Sequence, residues 1–232
     1  MKRAALLPLF LLAAAPAQAF ELTGGSVGVG YSGYTSNLLK NVDKTTLDGQ
    51  LELSFGDLVS VQADLGFANF GFDDGEGHNI ALHGIYHLGF DTSAGLYLGR
   101  DKVGDDSATL TGLEIAHKMG PVGLEGYVTY ANDSNFNGLV GGAEASYGIS
   151  DSLDLGVRWD RANIDNFDLT RLSLVGEYDL PSGLALTGEI GSAKFNGAGS
   201  EPFFGIGAKM NFGSNGGTTF RDRSLLDLVP GL

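Results

Sequence analysis

The stretch "SLDLGVRWDR", Ser152 to Arg161, alternates along its whole length. In an extended chain Leu153, Leu155, Val157 and Trp159 fall on one side and Asp154, Arg158 and Asp160 on the other, because successive side chains of a strand point to opposite faces. A strand at the surface of a soluble sheet shows the same pattern. What the apolar side meets is decided by how often the pattern recurs, how long each run is and what lies between the runs.

Twelve alternating runs can be counted, near 25–34, 45–55, 58–69, 78–90, 93–103, 107–118, 121–131, 138–149, 152–162, 168–180, 183–194 and 203–212. Most approach the ~9–11 residues that a tilted strand needs to cross a bilayer, and exceed the ~5–6 of an ordinary globular strand. Tight turns rich in Gly, Pro, Asp and Ser fall at Phe55–Leu58, Asp91–Ser93, Met119–Pro121, Ser150–Ser152 and Leu180–Gly183. Longer polar links, such as Ser36–Lys44 and Phe195–Pro202, separate them. Short and long in alternation is the order of an up-and-down barrel with turns at one membrane face and loops at the other.

Aromatic residues agree. Phe55, Phe90, Tyr147, Tyr178 and Phe212 sit near the tight-turn ends, and Tyr31, Phe67, Tyr130, Trp159 and Phe204 near the other ends, all on the apolar parity. Two girdles are what membrane interfaces select. The fold expected is all-β, a transmembrane up-and-down antiparallel barrel of about 12 strands, with its apolar side toward lipid and its polar side toward a lumen.

The ends of the chain add context. Lys2 and Arg3 precede an apolar run, and Ala17-Gln18-Ala19 has the small-x-small form of a cleavage site, so residues 1–19 read as a signal peptide. The run is too short for a spanning helix. Without it, 12 basic residues stand against 28 acidic ones, a formal charge of −16, which argues against nucleic acid as a partner. There is no cysteine. The division read from sequence is signal peptide 1–19, barrel 20–212 and a C-terminal periplasmic tail 213–232. That tail opens with the linker-like "GSNGGTT" and becomes leucine-rich in "FRDRSLLDLVPGL", a segment suited to docking at the barrel mouth.

The leader, the twelve runs, the girdles and the last strand "FFGIGAKMNF" together resemble the Gram-negative outer-membrane β-barrel proteins of the porin-like kind. The resemblance covers residues 24 to 212 and implies residence in the cell outer membrane. It also implies recognition of the last strand, with Phe204, Ile206, Met210 and Phe212, by the barrel assembly machinery, and contact with outer-membrane lipid and lipopolysaccharide. Porins of this kind often work as trimers, so a homo-oligomer is compatible with it. The 20 residues after Phe212 depart from the pattern, in which the aromatic residue usually lies at or near the chain end.

The polar parity supplies candidate pore-lining residues: Glu52, Asp64, Glu114, Glu125, Glu144, Arg158, Arg171, Glu177, Glu189 and Lys209. Asp48, Asp101, Asp154, Asp160, Asp179 and Lys118 share that side. Twelve acids against four bases would favour cations in a water-filled pore. The function expected is passive diffusion of ions or small hydrophilic solutes, without catalytic residues, metal or cofactor. The alternative is a closed structural or adhesive barrel acting through its loops. A lipid hydrolase is the reading from another class, resting on His83 and His87 on one polar face; it needs a Ser beside a His and a third, orienting group, and no G-x-S-x-G elbow is present. The loop "NFGFDDGEGHN", with Asp73, Asp74, Glu76 and His78, is read as a solvated acidic loop.

Overall fold

The computed structural model describes residues 20–39, 41–71, 75–133, 136–165, 167–197 and 199–230; the expected leader, and Asp73 and Asp74 of the acidic loop, lie outside them. Twelve strands follow in order: β1 (Glu21–Tyr34), β2 (Asp43–Ser54), β3 (Val59–Phe70), β4 (Gly75–His87), β5 (Thr92–Val103), β6 (Asp106–Met119), β7 (Val122–Asn132), β8 (Asn137–Ser150), β9 (Leu153–Ile164), β10 (Phe167–Asp179), β11 (Leu184–Phe195) and β12 (Gly199–Phe212). Each pairs antiparallel with its neighbours in sequence. β1 pairs with β12, Gly25 opposite Phe212 and Tyr34 opposite Phe203, so the sheet closes into a barrel. Closure leaves no edge, the condition for a sheet in hydrocarbon, where an unpaired peptide group is costly.

Strand limits agree with the alternation to within a few residues, with the largest differences at β1 and β12, which begin earlier than 25 and 203. "GSEP" at 199–202 has turn composition, yet it pairs with β11. Pro202 is tolerated because on its β1 side it lies opposite Thr35, just past the end of β1, and its carbonyl accepts from the Thr35 N–H at 2.9 Å.

The rim that carries both barrel termini, called here the near rim, has turns at 55–58, 88–91, 120–121, 151–152 and 180–183. The far rim has connections at 35–42, 71–74, 104–105, 133–136, 165–166 and 196–198, so apart from the first they are as short as the turns opposite. The expected contrast in length is therefore small. Polar strand ends such as Asn137 and Asn163 read as loop by composition but continue the ladder.

The outer surface is apolar, with Val27, Leu65, Leu82, Leu98, Leu113, Val157, Leu174 and Ile206 among the large exposed side chains. Phe55, Phe90, Tyr147 and Tyr178 near one rim, and Tyr31, Phe67, Tyr130 and Trp159 near the other, are exposed on the same face; Phe204 packs beside Tyr31 with ring centroids 5.9 Å apart. Trp159 and its neighbours in the opening stretch thus face outward and Asp160 inward. No helix among the described residues is long and apolar enough to cross a membrane; the strands do that here.

The inner surface differs from the uniformly polar lumen that the sequence suggests. Toward the near rim it is polar. Toward the far rim Tyr34, Val140, Ala162, Leu169, Ala193 and Phe203 from β1 and β8–β12 form one buried apolar group, and Tyr97, Ala108, Leu110 and Ala131 from β5–β7 form another. Apart from Tyr97, which is mid-strand, these residues lie on the inward parity within a few positions of a strand end.

The tail explains why an apolar collar belongs there. The composition suggests docking at the barrel mouth, and the described part of the tail runs on into the lumen. After Phe212 the chain reverses at the near rim through Gly213, Gly216 and Gly217, all at positive φ, with the Asn215 N–H donating to the Thr23 carbonyl at 2.7 Å. It then climbs the lumen and ends in a single turn of helix, α1 (Leu225–Leu228), whose N-cap Ser224 accepts from the Leu226 N–H. Leu228 joins the β1/β8–β12 group, Leu225 packs against the β5–β7 group, and Leu226 packs on Ala68 and Phe70 of β3. Burying Leu226 and Leu228 stabilises this seal by about 1.5–3 kcal/mol each.

Candidate functional site

The twelve-stranded lumen divides into a wall that holds the tail and a wall that does not. All ten candidate residues point inward, along with Lys44, which the sequence reading missed although it shares the parity of Asp48 and Glu52. They do not form one ring. Glu52, Asp64, Glu114 and Glu125 belong to the wall of β2–β7, against which the tail runs. Glu144, Arg158, Glu177, Glu189 and Lys209 belong to β8–β12, and Arg171 of β10 reaches across to α1.

On the first wall the tail is held through its main chain. Glu52 accepts the Thr219 N–H at 2.6 Å and the Thr219 hydroxyl at 3.1 Å. The Gln62 amide binds both peptide groups of Phe220, donating to its carbonyl at 2.8 Å and accepting from its N–H at 3.2 Å. Asp101 accepts the Leu225 N–H at 2.6 Å. Lys44 donates to the carbonyls of Leu226 and Val229, the latter at 3.0 Å, and Arg171 donates to those of Asp227 and Leu228 at 2.6 and 3.3 Å.

Side chains complete the contact. Phe220 is fully buried, stacked on His83 with ring centroids 6.5 Å apart. Room for its ring depends on Gly95, where a Cβ would lie 2.7 Å from Phe220 Cε2 and 2.8 Å from Glu114 Oε1. Arg223 donates to Glu114 at 3.0 Å and also to Glu125, with its guanidinium 4.4 Å from the Tyr127 ring centre. His83 lies between two carboxylates: Nδ1 makes a 2.6 Å hydrogen bond with Glu114, and Nε2 approaches Asp64 at 2.9 Å, off the hydrogen-bonding direction. Carboxylate oxygens thus flank both ring nitrogens, with a hydrogen bond at Nδ1.

His87 is different again. Its Nε2 meets Ser60 Oγ and its Nδ1 meets Ser93 Oγ, each at 2.8 Å. The serine neighbours are thus at one histidine and the carboxylates at the other, so the described residues do not assemble the Ser, His and orienting acid of a hydrolase. Glu76 and His78 face outward, and no group of three or more metal-binding side chains comes together among the described residues.

The second wall faces space. A cavity of about 840 Å³ runs between the tail and β8–β12, β1 and β2, bordered also by Glu125 and Tyr127 of β7, from Lys118 and Pro121 at the near rim to Val140, Phe203 and Leu228 under the far-rim seal. Its charges are partly paired. Arg158 donates to Glu144 at 2.7 Å and to Glu189 at 3.3 Å, Arg171 holds Glu189, Lys209 meets Glu177 at 2.7 Å, and Arg221 of the tail reaches Glu144 at 3.0 Å. Asp154 and Glu177 lie opposite each other across β9 and β10, and the lining carries more acids than bases.

Closed strands, an apolar exterior with two aromatic belts and a charged interior holding a water-accessible cavity are the attributes of a bacterial outer-membrane barrel. Among solved structures, a KdgM porin in complex with disordered oligogalacturonate matches with a TM-score of 0.64 and 8% identity, over 81% of this chain and 99% of that one. The fold is that of the outer-membrane porins. A NanC porin matches this porin fold with a TM-score of 0.61 at 10% identity, over 80% of this chain and 98% of its own. An outer-membrane channel from Pseudomonas putida F1 follows at 0.53 and 14%, over 85% and 99%. No family model matches the chain, and no curated protein does. The outer-membrane setting therefore rests on the porin fold together with the barrel's own surfaces.

Proposed function

We propose that the protein is a porin-like outer-membrane channel for passive diffusion of ions or small hydrophilic solutes, with a mild preference for cations. The observation that carries this reading is the charged cavity along β8–β12, β1 and β2, which a barrel built only as a scaffold has no need to keep. Water fills a polar cavity of this size, and its surplus of carboxylates raises the local concentration of cations over anions. The oligogalacturonate of the KdgM complex is not carried over as the solute; of the arginines that line the cavity, Arg158, Arg171 and Arg221 are paired with Glu144 or Glu189.

The second reading is a closed barrel acting through its outer connections, and the leucine seal of α1 favours it. The shortness of the connections weighs against it, since between strands only 35–42 exceeds four residues in length. Planar-bilayer recording of the refolded full-length chain separates the two. Discrete current steps with a cation-selective reversal potential are expected, and a folded barrel that leaves the bilayer insulated would sink the channel reading.

A further inference from the structure

We infer that the inner wall of β2–β7 is a peptide-binding site whose ligand is the chain's own segment 218–229, held reversibly, so that the bound segment narrows the far rim and its departure widens the passage. The inference rests on the channel reading and adds the element that controls it.

The first support is the mode of recognition. A closed barrel has spent every backbone N–H and C=O of its wall on neighbouring strands, so an inserted peptide cannot be bound by strand addition as at an open sheet edge. Its own main chain must then be satisfied by wall side chains, since buried peptide groups are costly to leave unpaired. Such a set is present here. Gln62 offers Phe220 one donor and one acceptor, as a neighbouring strand would, and Glu52, Asp101, Lys44 and Arg171 take further amides and carbonyls along the segment. These five side chains are buried and come from four strands, β2, β3, β5 and β10. A flexible end that had merely collapsed into an open lumen would not meet matched groups from one rim to the other.

The second support is the chemistry of the ligand. The wall reads an aromatic residue followed three positions later by a guanidinium and then by leucines. Phe220 fills the socket left by Gly95, Arg223 neutralises Glu114 and Glu125, and the leucines of α1 close the collar. The third is the nature of the contact below α1, which is charged and hydrogen-bonded. Water can replace such contacts when the segment leaves, whereas an apolar plug would expose its whole surface. A way out exists, because Thr218, Arg221, Asp222 and Asp227 already border the open cavity, and the glycine-rich reversal at 213–217 supplies a hinge.

The test uses the full-length protein and two variants that attack the site from opposite sides. Arg223→Glu places a third acid between Glu114 and Glu125, and Gly95→Leu fills the Phe220 socket. Release of the segment is read by trypsin cleavage at Arg221, and opening by single-channel conductance. Both variants should be cut where the parent is protected, and both should show severalfold larger conductance. A synthetic peptide of residues 213–232, added on the near-rim side, should return the conductance to the parental level, while a scrambled peptide should not. Cleavage without a rise in conductance overturns the proposal, as does full protection of both folded variants or indifference to the peptide. A silent parent with conducting variants would support the site while removing the proposed passage along the free wall. A cation-selective parent with variants that conduct no better would do the reverse.

Discussion

The two walls of one lumen use the same residue types in different ways. On β2–β7, Glu52, Gln62, Asp64, His83, Asp101 and Glu114 are buried against the tail, and their charges are consumed by His83, Arg223 and peptide amides. On β8–β12, Glu144, Arg158 and Glu177 face the cavity and keep access to water. An acidic residue on the first wall is therefore part of a binding surface, and one on the second contributes to the potential of a passage. The lesson is that inward parity alone assigns no role; what occupies the lumen does.

The comparison can be broken most directly at Arg223. Arg223→Ala leaves Glu114 and Glu125 without their guanidinium, and removing one partner of a buried ion pair costs about 3–5 kcal/mol. Hydrogen exchange should show loss of protection along 218–228 with the strands unaffected; loss across the whole barrel would mean that the tail is an integral part of the core. A smaller effect on the same wall is expected from Gln62→Leu, which strands both peptide groups of Phe220 at about 1–3 kcal/mol. Exchange of the Phe220 amide should accelerate accordingly, and unchanged exchange would refute main-chain recognition at that point.

On the free wall the expected change is electrical. A unit charge at 4 Å is worth about 1 kcal/mol in water, or roughly a fivefold change in local cation concentration. Asp154→Asn combined with Glu177→Gln should lower the cation selectivity read from the reversal potential by up to about that factor. Glu76→Gln, on the outward face of β4, should leave it unchanged, and an equal effect there would mean that the cavity charges do not set the selectivity. The smallest effect belongs to Lys209→Met, since the Lys209–Glu177 pair is partly open to solvent and such pairs contribute about 0–1 kcal/mol. Its unfolding midpoint in denaturant should stay close to that of the parent.

Much of this architecture was legible in the residues themselves. Alternation is a local property, so Leu153, Leu155, Val157 and Trp159 announce an outward face wherever the strand lies, and twelve long runs with belts of aromatic residues leave few closed arrangements. The same parity identified every candidate from Glu52 to Lys209 as inward-facing. Lys44 escaped because it lies at the edge of a polar link, where composition suggests loop. The far-rim collar escaped because Leu169, Val140 and Phe203 break the expectation of a polar lumen only near strand ends, where a window of alternation carries least weight.

The remainder depended on contacts between residues roughly a hundred or more positions apart. The sequence by itself determined strands, closure, the lipid-facing surface and the acidic interior, since each follows from the two-residue period and the charge of the chain. Tertiary structure alone decided that the tail enters the lumen and which carboxylates it consumes. Arg223 meets Glu114 and Glu125, and Phe220 meets Gln62 and Gly95, because the barrel curves strands distant in sequence around a common axis. No pattern within a single strand records that curvature.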